Sequence, residues 1–167
     1  MNARIFIMVI IVFITSQVEA GFLFHATDQQ ASKRIAARDF SAAKMKAKSR
    51  FGKGVYLASS RKTALAEKPV ADAVIRFNRS KYLSKSSLDL YRPSTQRLKG
   101  LCPNTSLQGK VKRGIIGPQL GRKLGRMASR RDKAIIYRSV KQPNGGKAIF
   151  IPRHVYCRHP RIVRPVK

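Results

Sequence analysis

Acid is what this sequence has least of. Seven aspartates and glutamates stand against 36 lysines and arginines, a formal charge of +29 over 167 residues. An imbalance of that size predicts attraction to anionic partners (nucleic acid, phospholipid headgroups, sulfated glycans, a bacterial envelope) and says nothing about fold. Cysteine is also scarce: Cys102 and Cys157 are the only two. That excludes a disulfide-built scaffold and leaves either one cross-link from mid-chain to tail or two separate thiols. Neither cysteine has neighbours suited to a zinc site, so no metal is expected. Tryptophan is absent. After the first twenty residues, no apolar run approaches the roughly 20 residues that a membrane helix needs.

Those first twenty residues read as a secretory signal. Arg4 gives a short positive start, Ile5 to Thr15 is continuously apolar, and Val18-Glu19-Ala20 places small residues at the cleavage positions. Residues 1–20 are therefore expected to be removed and the protein secreted. Residues 21–167 suit one domain with its own core.

The remaining pattern predicts an α+β fold, mostly sheet, with short helices between strands. Gly21 to Thr27 is a strand, and Asp28 caps a helix through Ala31, Ile35 and Ala36. Val55 to Ala58 is a strand, after which Ser59 or Ser60 caps a helix over 62–68 that Pro69 ends. Ala73 to Phe77 and Leu88 to Tyr91 are further strands. From about 92 to 131 the chain becomes a basic insert, broken by proline and glycine, with no acid between Asp89 and Asp132. One basic helix is expected there, over 118–131, with Leu120, Leu124 and Met127 inward. Strands over 134–140 and 148–151 follow, joined by the Pro143-Asn144-Gly145-Gly146 turn. The tail from Pro152 reads as basic and irregular.

With Glu19 in the leader, Glu67 is the one glutamate left. It lies just past Gly54-Val55-Tyr56-Leu57-Ala58, in the stretch GKGVYLASSRKTALAE. Cationic surroundings favour its ionised form, and an ionised carboxylate near an aromatic face can stabilise positive charge developing on a sugar. The plainer alternative is a surface glutamate paired with Arg61, Lys62 or Lys68.

Three blocks carry a family likeness: FHAT (Phe24 to Thr27), GKGVYLASSRKTALAE (Gly52 to Glu67) and DKAIIYRSVKQPNGGKAIFIP (Asp132 to Pro152). In this order they resemble the ADP-ribosyltransferase superfamily. The His-x-Thr opening is similar to the poly-ADP-ribose polymerase and diphtheria-toxin branch. The later blocks are closer to RES-domain NAD-degrading toxins and polymorphic-toxin ADP-ribosyltransferases. The resemblance implies a split β-sheet core and NAD as substrate. It also implies breakage of the nicotinamide–ribose bond through an oxocarbenium-like sugar.

In that reading His25, with Thr27 beside it, binds a ribose hydroxyl and Tyr56 stacks on nicotinamide. Glu67 holds the ribose and stabilises the cation, and Ser139 lines the pocket from a late strand. Arg50 and Lys53 are candidates to grip the pyrophosphate. The His-x-Thr branch carries its catalytic glutamate on a late strand, where this chain has Asp132, Tyr137 and Ser139. RES proteins place it where Glu67 stands but open on arginine. Transfer to an anionic macromolecule (nucleic acid or acidic protein) and transfer to water both stay open. An acidic immunity protein is a further expected partner if the source is bacterial. Two rivals remain: a non-enzymatic cationic protein that binds nucleic acid or anionic membranes, and a basic ribonuclease that pairs His25 with His154 or His159.

Overall fold

The computed structural model describes residues 21–38, 40–41, 45, 49–78, 87–102, 104–142, 146–157 and 163–165. The expected signal segment, the centre of the 143–146 turn and His159 lie outside them. The described strands are β1 (Phe22–Thr27), β2 (Gly54–Ala58), β3 (Ala73–Asn78), β4 (Leu88–Asp89), β5 (Ile135–Arg138), β6 (Lys147–Pro152) and β7 (Val163–Pro165). The helices are α1 (Gln29–Arg38), α2 (Arg61–Glu67), α3 (Thr95–Leu101), α4 (Thr105–Lys112), α5 (Pro118–Arg130) and α6 (Arg153–Cys157). The fold is mixed α+β. One seven-stranded sheet runs β4-β5-β6-β2-β1-β3-β7, antiparallel except for the parallel pair β4–β5.

Side-chain alternation assigns the two faces. Along β6, Ile149 and Ile151 point to one face while Ala148 and Phe150 point to the other. Both faces are covered, so β6 reads as an unbroken apolar run. The first face packs under α1 and α6 around Leu23, Leu57, Ile75, Phe77 and Tyr156. The second face is divided. Its β4–β6 half is covered by α3, α4 and α5 through Leu98, Val111, Leu124 and Ala128. Its β1–β3 half is covered by α2 through Phe24, Ala26, Ala58 and Ala64.

The division continues into the sheet. β2 pairs with β6 over five registered positions and β1 with β3 over six, but β1 meets β2 in register only at Phe24↔Ala58. The β1–β2 join is therefore the most sparsely registered one in this central part of the continuous seven-stranded sheet.

Local signals explain most elements. The Asp28 carboxylate accepts from Ala31 N at 2.6 Å and starts α1. Of the two candidate caps for α2, Ser60 is the one used, accepting from Thr63 N at 3.1 Å. The 92–131 segment departs from expectation: it holds three helices, and they close a core of their own against β4–β6. On α5 the buried positions are Gly121, Leu124, Gly125 and Ala128, while Leu120 and Met127 are only partly covered. The tail is more regular than expected too, forming α6 and the edge strand β7.

Both cysteines are free, Cys102 buried and Cys157 exposed, so the cross-link weighed above is not formed. Among the described residues no helix is long and apolar enough to cross a membrane.

Candidate active site

A cleft of about 500 Å³ lies at the β1–β2 join beside α2. Its lining includes His25 from β1, Tyr56 from β2, Glu67 and Lys68 from the end of α2, Tyr137 from β5, and Ser49. Residues far apart in the chain meet here because α2 follows β2 directly and folds back over β1 and β2.

His25 follows Phe24, the β1 residue registered with Ala58 of β2. Its Nδ1 lies 2.9 Å from the carbonyl oxygen of Tyr56. A side chain thus satisfies a carbonyl that the neighbouring strand would serve in an unbroken ladder. A carbonyl only accepts, so Nδ1 carries the proton, and in the neutral ring Nε2 is left as an acceptor. Burial pulls the His25 pKa below its ordinary 6.5; the Tyr56 carbonyl opposes that shift and nearby Lys68 reinforces it. The ring also makes an edge-on contact with Phe40, centroids 4.9 Å apart.

The folded ring resists protonation while the unfolded ring takes a proton near pH 6.5, so the unfolded chain binds more protons just below that value. Stability is expected to fall as pH drops below about 6.5 and to flatten once the folded ring also protonates. His25→Gln should reduce that slope, and denaturant midpoints measured across this window check it. Equal slopes in the two proteins would contradict the assignment.

Tyr56 is held from behind. Its hydroxyl accepts from Phe51 N at 2.8 Å and is also hydrogen-bonded by the Ser49 side chain. Its ring packs against Phe150, centroids 5.0 Å apart, and lies nearly parallel to Phe51 at 6.3 Å. Burial raises the Tyr56 pKa above 10.0, outweighing the Phe51 amide and Arg50, so the phenol stays neutral. Tyr137 beside it is raised further, by burial first and by the charge of Glu67 second.

Glu67 is exposed at the mouth of the cleft, and Ser139, only 1 % exposed, anchors it. The Ser139 hydroxyl donates to Glu67 Oε1 at 2.5 Å and accepts from Lys141 N at 3.3 Å. This bond orients one of the two carboxylate oxygens. Ser139 itself lies just past the end of β5 rather than on a strand.

The other expected site residues are placed differently. Thr27 is buried opposite Ala73 at the end of β1 and is not part of the cleft lining. Arg50 lies behind the lining, its guanidinium 5.4 Å from the Tyr137 ring centre and its buried Nη1 without a hydrogen-bond partner. Lys53 lines a separate groove with Arg126 and Arg153. Asp132 sits on the α5–β5 turn with a φ of 52°. Its carboxylate is 2.7 Å from His154 Nε2, and Ser129 Oγ contacts the other nitrogen of that ring at 3.2 Å. His154 thus pairs with Asp132 while staying partly exposed, and it is not among the residues that line the cleft with His25.

Lys68 is the cleft cation that the sequence did not single out. Its position directly after Glu67 made it look like a surface ion-pair partner. Among the described residues no cluster of three or more potential metal ligands is formed. No protein-family model matches the chain, and no curated protein matches it in sequence.

Proposed function

We propose that this chain is a secreted NAD-consuming enzyme of the ADP-ribosyltransferase kind. It would cleave the nicotinamide–ribose bond and pass ADP-ribose to a macromolecule or to water. The observation that carries this reading is that His25, Tyr56 and Glu67 line one cleft beside the β1–β2 join. Its volume, about 500 Å³, falls within the range of small-molecule and cofactor sites.

The parts have complementary tasks. Tyr56, neutral and backed by Phe51 and Phe150, offers an aromatic wall for nicotinamide. The Nε2 of His25, an acceptor in the neutral ring, would accept a hydrogen bond from a ribose hydroxyl. Glu67, fixed through one oxygen by Ser139, presents the other to the sugar as the glycosidic bond breaks and positive charge grows. Lys68 at the same mouth supplies a cation for the pyrophosphate, a role for which it is better placed than Lys53. Electrons of the breaking bond leave with nicotinamide, and the acceptor's oxygen or nitrogen lone pair then closes on the sugar carbon as its proton is lost to solvent.

Release of free nicotinamide from NAD by the purified protein tests the reading. Intact NAD across a panel of RNA, DNA and protein acceptors, with a native circular dichroism spectrum, would refute it.

A specific observation also favours the non-enzymatic alternative, a cationic binder. The outward face of α5 is lined with exposed arginines that the cleft chemistry does not use.

A further inference from the structure

We infer that α5 and the two grooves beside it form a docking track for the phosphate backbone of a single-stranded nucleic acid. Arg122, Arg126 and Arg130 are exposed and recur every fourth residue, which sets them in one row about 6 Å apart along the helix. Steps of that size suit successive phosphates of an extended strand, read here as a charge track without base specificity.

The grooves extend the row sideways. One, of about 620 Å³, carries Lys53, Arg126 and Arg153; the other, of about 310 Å³, carries Arg97, Arg131 and Lys133. Neither lining contains a carboxylate. The nearest acid in sequence, Asp132, is tied to His154.

Three features select this occupant. A membrane surface would reward apolar side chains that insert beside the cations. The large exposed apolar residues among those described are Val70, Ile115 and Val140, none of them on α5. An acidic protein would supply its charges at irregular spacing, whereas the row on α5 is regular. A duplex would keep its base faces hidden, while the smaller groove has an apolar floor that includes Leu88, Leu101 and Met127 beside the polar Gln96. Unstacked bases of a single strand can reach such a floor.

The track lies one layer from the cleft, because the α5 backbone packs directly on Arg50 and Phe51, and Phe51 N is bonded to Tyr56. A strand held there is delivered close to the proposed site. The inference does not depend on NAD chemistry, and the binding assay below contains no NAD, so either reading can fail alone.

The test is a titration of a fluorescent single-stranded RNA oligonucleotide with the full chain at several salt concentrations. Arg122→Gln, Arg126→Gln and Arg130→Gln are combined in one variant. Lys33→Gln, Arg34→Gln and Arg61→Gln, which remove the same charge from α1 and α2, form the control. All six positions are exposed, so both variants should keep the native circular dichroism spectrum. Three lost phosphate contacts should lower the slope of log affinity against log salt by about 2, at about 0.7 per contact on a single strand. The control should leave that slope unchanged. Equal slope losses in the two variants would show diffuse charge attraction and overturn the track. So would salt-resistant binding to phosphatidylserine vesicles that exceeds binding to the oligonucleotide.

Discussion

Glu67→Gln is expected to slow nicotinamide release from NAD about a hundredfold to a thousandfold while leaving the fold intact. The substitution keeps shape and helix propensity and removes only the charge. A preorganised electrostatic group of this kind contributes roughly 3–4 kcal/mol to the transition state, which sets that range. NAD binding should change far less, since the ground-state sugar carries no positive charge. Stability should move within about 0.5 kcal/mol, because Glu67 is exposed and glutamine can still accept from Ser139. Ser139→Ala separates orientation from charge. It leaves the carboxylate but removes the 2.5 Å bond that points it, for an expected loss of about tenfold, or about 1.4 kcal/mol. Single-turnover rates and equilibrium NAD binding measured on the three proteins check the order. Full turnover by Glu67→Gln would move the chemistry to another group; a larger loss in Ser139→Ala than in Glu67→Gln would make Ser139 the more important residue.

The parts of this molecule that were legible in the sequence are those whose signal is local. β1, β2, β3 and β6 announce themselves by apolar or β-branched runs between turn residues. α1 and α2 announce themselves by Asp28 and Ser60 ahead of helical spacing. The 92–131 segment misleads because its glycines read as breaks. On α5 they are contacts, placed where the helix backbone must touch the 50–51 loop. The three helices there also show few apolar residues, since each needs only a narrow stripe to cover one half of a sheet face.

The site was legible as residue types but not as a geometry. Tyr56 and Glu67 are linked by the strand–helix turn and could be placed together. The bond from Ser139 to Glu67 crosses 72 residues, and no spacing rule reports it. The His25 contact depends on how β1 is registered against β2, which no local pattern reports. Lys53 and Lys68 illustrate the same limit: both are lysines near the motif, and only the fold decides which one faces the cleft.

Gly125→Ala is expected to destabilise the protein by about 2–3 kcal/mol, although in an exposed helix the same change is favourable by up to about 1 kcal/mol. Two effects of opposite sign compete, and distance decides between them. A Cβ at Gly125 would fall 1.8 Å from the carbonyl oxygen of Phe51 and 2.7 Å from its carbonyl carbon. These are backbone atoms, so no side-chain rotation relieves the overlap, and α5 or the 50–51 loop must move. Gly121 meets Arg50 O at 2.2 Å in the same way, so the loop is pinned one helical turn further along as well. Gly109 in α4 supplies the internal control. Nothing lies within 4 Å of its added Cβ, and Gly109→Ala should raise stability by a few tenths to about 1 kcal/mol. In a domain of this size the two changes should move the thermal midpoint in opposite directions, down by roughly 4–12 °C and up by roughly 1–4 °C. The loss at Gly125 also reaches the cleft, since displacing Phe51 removes the amide that holds the Tyr56 hydroxyl. NAD binding should therefore weaken in Gly125→Ala at temperatures where the protein is still folded, and remain unchanged in Gly109→Ala. Midpoints that rise in both proteins would mean that α5 does not lie against the 50–51 loop, and that Tyr56 is positioned by something else.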